Sequence, residues 1–164
     1  MTEAQVKNAV EKFEALIRAQ SDRSDKIKAQ GDFIDFKSLD KIIIGVCGGD
    51  GIGPIISAEA EKVLKYILSD LEESGKVKFI SIEGLTLENR IKVGKGIPDD
   101  VLAELKKCDI ILKGPTTTPQ KGSGMPNIES ANVAMRKALD LFANIRPVKV
   151  PEEGINWTIF RENT

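Results

Sequence analysis

KIIIGVCGGDGIGP, residues 41–54, is the stretch on which the fold turns. Its first half, KIIIGVC, is a short apolar run rich in β-branched residues and followed by glycines, the pattern of a strand buried on both faces. GGDGIGP then interrupts the pattern as a loop, and residues 55–71 resume with the spacing of a helix. The alternation continues downstream. KVKFISI (76–82) is a second strand, and a helix begins near Pro98 with Asp99 and Asp100 in its first turn, where carboxylates suit the helix dipole. CDIILK (108–113) is a third strand, residues 131–141 form a helix, and residues 142–149 and 156–161 close as strands lying side by side. Strands alternating with helices imply an α/β protein with a parallel sheet.

Upstream of this unit, Val6, Ala9, Val10, Phe13, Leu16 and Ile17 recur at helical spacing and predict one amphipathic helix over about residues 3–19. The polar stretch 21–31 either extends that helix or connects it onward. The expected organisation is an N-terminal helical extension over residues 1–40 and an α/β portion over residues 41–164. One apolar stripe is more commonly covered by its own domain than by a second subunit, so own-domain packing is the expected arrangement for the extension.

A glycine loop between a strand and a helix invites a nucleotide reading. Gly48, Gly51 and Gly53 do not satisfy G-x-G-x-x-G, and no Lys-Ser or Lys-Thr follows as in a P-loop. A Rossmann fold is therefore disfavoured. The simplest reading of the glycines is a tight turn that needs positive φ.

Residues 113–161 carry the chemistry. Arg136, Arg146 and Arg161 are permanent planar cations that can fork onto carboxylates, so three of them converging suit a small polycarboxylate better than a monoanion. Ser130 stands at the N-cap of the helix over 131–141, where exposed N–H groups make an anion seat, and Asn132 lies in the same first turn. Arg136 is more than a turn further along, within reach of the helix mouth by its long side chain. Arg146 precedes Pro147 at the end of a strand, and Arg161 follows the apolar run WTIF in the same way. Taken singly, each arginine reads as a solvated surface charge and Ser130 as a plain cap. The joint pattern is what points to a site.

GDGIGP, then LKGPTTTP, then ESANVAMRKALDLFANIRPVK, then FRENT resemble in content and order the N-terminal part of the isocitrate and isopropylmalate dehydrogenase family, the isocitrate-handling members above all. The resemblance covers residues 41–164 and leaves the first forty outside. It implies part of an isopropylmalate dehydrogenase-like three-layer α/β sheet, with an extra N-terminal helix. It further implies that Ser130, Asn132, Arg136, Arg146 and Arg161 bind isocitrate or a related 2-hydroxy polycarboxylate. Lys113, Thr117, Thr118 and Ile52 match positions beside an NAD or NADP cofactor. A hydroxyl and an amide at 130 and 132 suit a third carboxylate, whereas relatives that take isopropylmalate need apolar groups there. A serine matching Ser130 is phosphorylated in some bacterial relatives, placing a dianion where a substrate carboxylate must sit.

The implied reaction is oxidative decarboxylation of isocitrate to 2-oxoglutarate with Mg2+ or Mn2+ as Lewis acid. The family's proton-handling tyrosine and lysine and its metal-ligating aspartates match positions beyond Thr164, so no catalytic residue and no metal ligand is expected here. The chain has no histidine to substitute for them. Two departures matter: the loop QKGSGMPNIE is longer than the family's compact glycine version, and Glu129 precedes Ser130, which is unhelpful beside an anion unless it points away. Three readings follow: the N-terminal part of an isocitrate dehydrogenase completed by more chain; a catalytically incompetent binding or regulatory subunit; or a member acting on isopropylmalate or homoisocitrate. A homo-oligomer or a complementing C-terminal chain is expected, because a partial sheet leaves strand edges and apolar surface uncovered.

Composition excludes more than it assigns. There are 24 basic and 25 acidic residues, a net charge of −1 and 41% apolar residues, enough for one ordinary core. Lysines interleave with acids throughout, which argues against a nucleic-acid face. No run approaches membrane-spanning length, and Glu3, Glu11 and Glu14 do not suit a presequence, so a cytoplasmic location is expected. Cys47 and Cys108 lie in or beside apolar runs and read as buried free thiols, not as a metal motif.

Overall fold

The computed structural model describes residues 1–29, 34–120, 122 and 124–163. The chain divides into two compact units, Met1–Ser38 and Leu39–Thr164.

The first unit is dominated by α1, Glu3–Ala29. It opens on a reciprocal capping box: Gln5 N donates to Thr2 Oγ1 (3.3 Å) and Thr2 N to Gln5 Oε1 (2.8 Å). The helix runs past the expected residue 19 because the following residues contain no Gly or Pro and add i,i+3 charge pairing such as Asp25–Lys28 at 3.9 Å. Residues 30–33, which include the last two of the expected connector over 21–31, lie outside the described residues.

In the second unit, β1 (Ile42–Cys47) runs parallel to β2 (Val77–Ser81) and to β3 (Ile110–Lys113), in the order β2-β1-β3. β1 and β2 are joined by α2 (Gly53–Ile67) and α3 (Ser69–Glu73). One helix was expected over 55–71; it starts earlier, at Gly53, and splits at Leu68, whose φ of −103° and ψ of 15° leave the helical range. β2 and β3 are joined by α4 (Leu87–Val93) and α5 (Asp99–Leu105). α4 has no counterpart in the sequence expectations. Its signals are a Thr86 cap that accepts from Asn89 N and a stop at Gly94, in the left-handed region at φ 72°. α5 begins as expected, with Pro98 as N-cap and Asp99 and Asp100 in the first turn.

α6 (Ala131–Ala138) stops short of 141, and Asp140 at φ 51° turns the chain so that Leu141 N donates to Arg136 O at 2.9 Å. β4 (Ala143–Val150) and β5 (Ile155–Glu162) then pair antiparallel across a 3-10 turn at Pro151–Glu153, side by side as expected.

The core gathers Cys47 from β1, Ile82 and Leu85 after β2, Ile97, Val101 and Leu105 around α5, and Ala131 and Met135 from α6. Gly45 lets β1 pack here, because a Cβ would lie 2.6 Å from Cys108 Sγ and 2.7 Å from Ile82 Cδ1. Cys47 is fully buried and Cys108 half-buried; burial pushes the Cys47 thiol up to about 11, which keeps it protonated and inert at neutral pH. Among the described residues, no helix is long and apolar enough to cross a membrane.

Candidate functional site

The strand order places a crevice. β1 is central, its first crossover leads to β2 on one side, and β3 pairs on the other, so the side to which the connections wind reverses between β1 and β3. Open α/β sheets receive ligands at the carboxyl ends of the strands flanking such a reversal. The two loops that leave those ends are GGDGIGP (48–54) and GPTTTP (114–119).

Asp50 fastens one loop to the other. Its N–H donates to Pro115 O (2.8 Å), its Oδ2 accepts from Thr117 N (2.8 Å) and its Oδ1 from Leu87 N at the start of α4 (2.7 Å). Arg90, on α4, is 0% exposed and donates Nη2 both to Asp50 Oδ2 (3.3 Å) and to Thr117 O. A carboxylate on the first loop and a buried guanidinium on α4, bonded to each other and both to the second loop, form a brace that neither could form alone. Arg90 Nε and Nη1 have no partner among the described residues. Neither Asp50 nor Arg90 belonged to the sequence-predicted site. Asp50 was visible as the one charge inside a glycine loop, whereas Arg90 lay in an undetected helix.

Glycine makes the close approach possible. A Cβ on Gly49, at φ 77°, would strike Pro115 O, and one on Gly53 or Gly114 would strike Gly48 O. Gly51 differs: its φ is 60°, yet nothing lies within 4 Å of its Cβ position, so that glycine serves the turn rather than the packing. Next to the turn, Ile52 is 67% exposed. At the end of β3, Lys113 Nζ donates to Gly114 O (2.9 Å) and Thr116 Oγ1 (3.1 Å), and burial lowers its pKa. Thr117 and Thr118 are exposed, Thr117 with its backbone held at both ends by the brace. A separate cavity of about 260 Å3 opens between β1, β2 and α2, lined by Pro54, Ser57, Glu83 and Thr86, and holds none of the predicted residues.

The anion-binding candidates fall into two groups. Ser130 is the N-cap of α6 by backbone position, and its carbonyl accepts from Ala134 N (2.9 Å), but its side chain makes no cap hydrogen bond. The expected use of that hydroxyl on the helix is thus not made. Asn132 and Arg136 stand four residues apart and share a helix face, Asn132 exposed and Arg136 half-buried. Glu129 points to Lys137, paired at 3.0 Å, and so is neutralised within α6 and its lead-in.

The second group is on the hairpin. Arg146 lies opposite Ile159 and Arg161 opposite Asn144, so both arginines occupy one face at diagonal positions. Arg146 Nε is held by Asn144 Oδ1 at 2.8 Å, while Arg136 and Arg161 have no ion-pair partner among the described residues. The base of the ribbon is tied to the end of α6 through Asn163 N to Phe142 O (3.1 Å) and Leu141 N to Arg136 O.

Residues 43–164 match the family described as isocitrate/isopropylmalate dehydrogenase. The chain belongs to that family. The isocitrate/isopropylmalate dehydrogenase relatives include the isocitrate dehydrogenase [NADP] of Caldococcus noboribetus, 40% identical over 76% of this chain and 30% of the relative. Another is isocitrate dehydrogenase [NAD] subunit 2, mitochondrial, of Kluyveromyces lactis, 37% identical over 76% of this chain and 32% of the relative. The fold is similar to a crystal structure of a beta-decarboxylating dehydrogenase from Thermococcus kodakarensis in its apo form. The TM-score is 0.61 at 33% identity, over 75% of this chain and 34% of that one. The chain spans about a third of the length of the curated relatives it matches. The resemblance read from GDGIGP, KGPTTTP and the α6 segment is therefore correct, as is the α/β fold it implied.

Proposed function

We propose that this chain supplies the substrate-holding part of an isocitrate dehydrogenase, which converts isocitrate to 2-oxoglutarate with NAD or NADP. The observation that carries the reading is the hairpin register that puts Arg146 and Arg161 on one face. Two guanidiniums at diagonal positions suit two carboxylates of one small molecule. Arg136 on α6 adds a third cation, and the Ser130 hydroxyl, unused by its helix, joins the Asn132 amide as donors for the remaining carboxylate. Glu129 does not oppose this, because Lys137 already neutralises it.

The nicotinamide cofactor, when bound, accepts the hydride from the substrate carbon that bears the hydroxyl. The crevice between β1 and β3 fits it chemically: the Asp50–Arg90 brace fixes the backbone of Thr117, whose exposed hydroxyl, with that of Thr118, can hold amide and ribose oxygens. In this reading Ile52, on the first loop, offers an exposed apolar contact and Lys113, at the end of β3, a partly buried cation. The divalent ion of the reaction, Mg2+ or Mn2+, supplies Lewis acidity. Among the described residues no group of three His, Cys, Asp or Glu side chains could hold it. We assign its ligands and the proton-handling groups to the portion of the enzyme that these residues do not include, on the same polypeptide or a complementing one.

Calorimetric titration with isocitrate, and nicotinamide absorbance with the complementing portion and Mg2+ present, test the reading. Isocitrate binding and turnover are expected, with affinity falling about tenfold for Ser130→Ala or Asn132→Ala. Preference for isopropylmalate would overturn the substrate, and isocitrate binding with no turnover in any assembly would favour a regulatory subunit.

A further inference from the structure

α1 lies outside the residues matched to the family and carries a periodicity of its own. Val6, Val10, Phe13 and Ile17 follow one another in alternating steps of four and three, the d, a, d, a positions of a heptad. They are between 43% and 64% exposed, on a helix that buries none of its residues. The seam ends there, since the next two heptad positions are Gln20 and Ser24.

We propose that α1 pairs with α1 of a second copy of this chain as a short antiparallel coiled coil over residues 3–20. In that arrangement the apolar layers are Val6 against the second copy's Ile17 and Val10 against its Phe13, each occurring twice by symmetry. The flanks decide the direction. On one side Lys7 meets Glu14 of the other copy, twice; on the other, small Ala9 meets large Leu16, twice. A parallel pair would set Lys7 beside Thr2 and Glu14 beside Ala9, leaving both charges unmatched, and would stack Phe13 on Phe13.

The ion-pair geometry leaves room for this contact. Arg18 donates Nε (2.9 Å) and Nη2 (2.6 Å) to the same oxygen of Glu14, Oε1, so Oε2 is open to a second cation. Lys7 has no ion-pair partner among the described residues. A membrane surface fits less well, since the polar side of α1 mixes Lys12, Arg18 and Arg23 with Glu11, Asp22 and Asp25 instead of presenting a basic face.

Zero-length carbodiimide coupling of an equal mixture of 15N-labelled and unlabelled full chain tests the pairing directly. A Lys7–Glu14 linkage between one labelled and one unlabelled peptide is expected. Linkage of Lys7 to carboxylates within residues 39–163 of its own chain would overturn the proposal in favour of self-docking, and coupling only to residues of its own helix would overturn it outright. Sedimentation equilibrium supplies a second reading. Lys7→Glu and Glu14→Lys should each weaken self-association about tenfold, and an equal mixture of the two variants should restore it. Identical association for both variants, the mixture and the natural chain would also overturn it, as would recovery of α1 on anionic vesicles with no linkage between copies.

Discussion

The loops around Asp50 and the β4–β5 ribbon are built on opposite plans. At the crevice, a buried ion pair, three glycines without room for a Cβ and a partly buried lysine fix the geometry from within the chain. On the ribbon, Ile145, Trp157, Ile159 and Phe160 are all exposed, on both faces, and the two arginines sit at its base. An isolated two-stranded ribbon is marginal in water, so this hairpin has little packing of its own to hold it. The Asp50 loops are thus fixed by contacts among the described residues, whereas the arginine-bearing ribbon has little packed on either face.

Breaking the brace should have the largest effect. Asp50→Ala leaves the Arg90 guanidinium buried and unpaired, and a loss of about 3–5 kcal/mol in urea unfolding is expected, enough to abolish cooperative folding at ordinary temperature. Replacing both residues together, Asp50→Asn with Arg90→Met, should recover part of that loss; recovery of none would mean that the brace acts through more than charge pairing. Glycine substitution sharpens the same side. Gly114→Ala drives a methyl into Gly48 O and should cost about 2 kcal/mol or more, while Gly51→Ala meets nothing and should cost only the strain of its positive φ, about 1 kcal/mol. Equal losses at the two positions would contradict the packing role given to Gly114.

On the ribbon the expectation reverses. Trp157→Ser should change stability by less than about 0.5 kcal/mol while reducing binding of an apolar dye and self-association by light scattering. A loss comparable to Asp50→Ala would show the ribbon already covered. The smallest effect is alkaline. Cys47 ionises at about 11 in the folded chain against an ordinary 9.0, so between those values the folded state keeps a proton that the unfolded state has released. Stability from this group is full below pH 9.0 and falls as pH rises to about 11. Lys113, lowered by burial, acts in the other direction, its penalty easing as pH rises. Cys47→Ala should therefore flatten the alkaline decline.

What was legible in the sequence follows the same division. KIIIGVC announced its strand because a buried central strand needs a continuous apolar run, KVKFISI and CDIILK showed as short β-branched runs that the structure leaves partly exposed, and the ribbon strands showed as apolar segments about a turn. α4 was lost because LENRIKV is short, with only its cap and stop to mark it. The end of α6 was overrun because Leu139 and Leu141 continue the apolar spacing past Asp140, where a left-handed residue ends the helix. Position could be read for Ser130, Asn132 and the arginines, but pairing could not. That Ser130 leaves its helix uncapped, that Glu129 turns to Lys137, and that Arg146 and Arg161 share a face depend on backbone angles and register, which residue types alone do not encode.

Asp109 holds a place in the sheet that bears on how the chain folds in time. Its N–H donates to Ile43 O (3.0 Å) and its Oδ2 accepts from Ile43 N (2.7 Å), so one residue locks the start of β3 to β1 across a long loop. Closing such a loop is slow beside the tens of microseconds or less in which a hairpin joined by a few residues can form. The ribbon can therefore form and reopen many times, apolar faces exposed, while the sheet is still searching for its third strand. Asp109→Asn should slow refolding more than it speeds unfolding, and the interval before β1 and β3 meet is when this chain is most prone to aggregate.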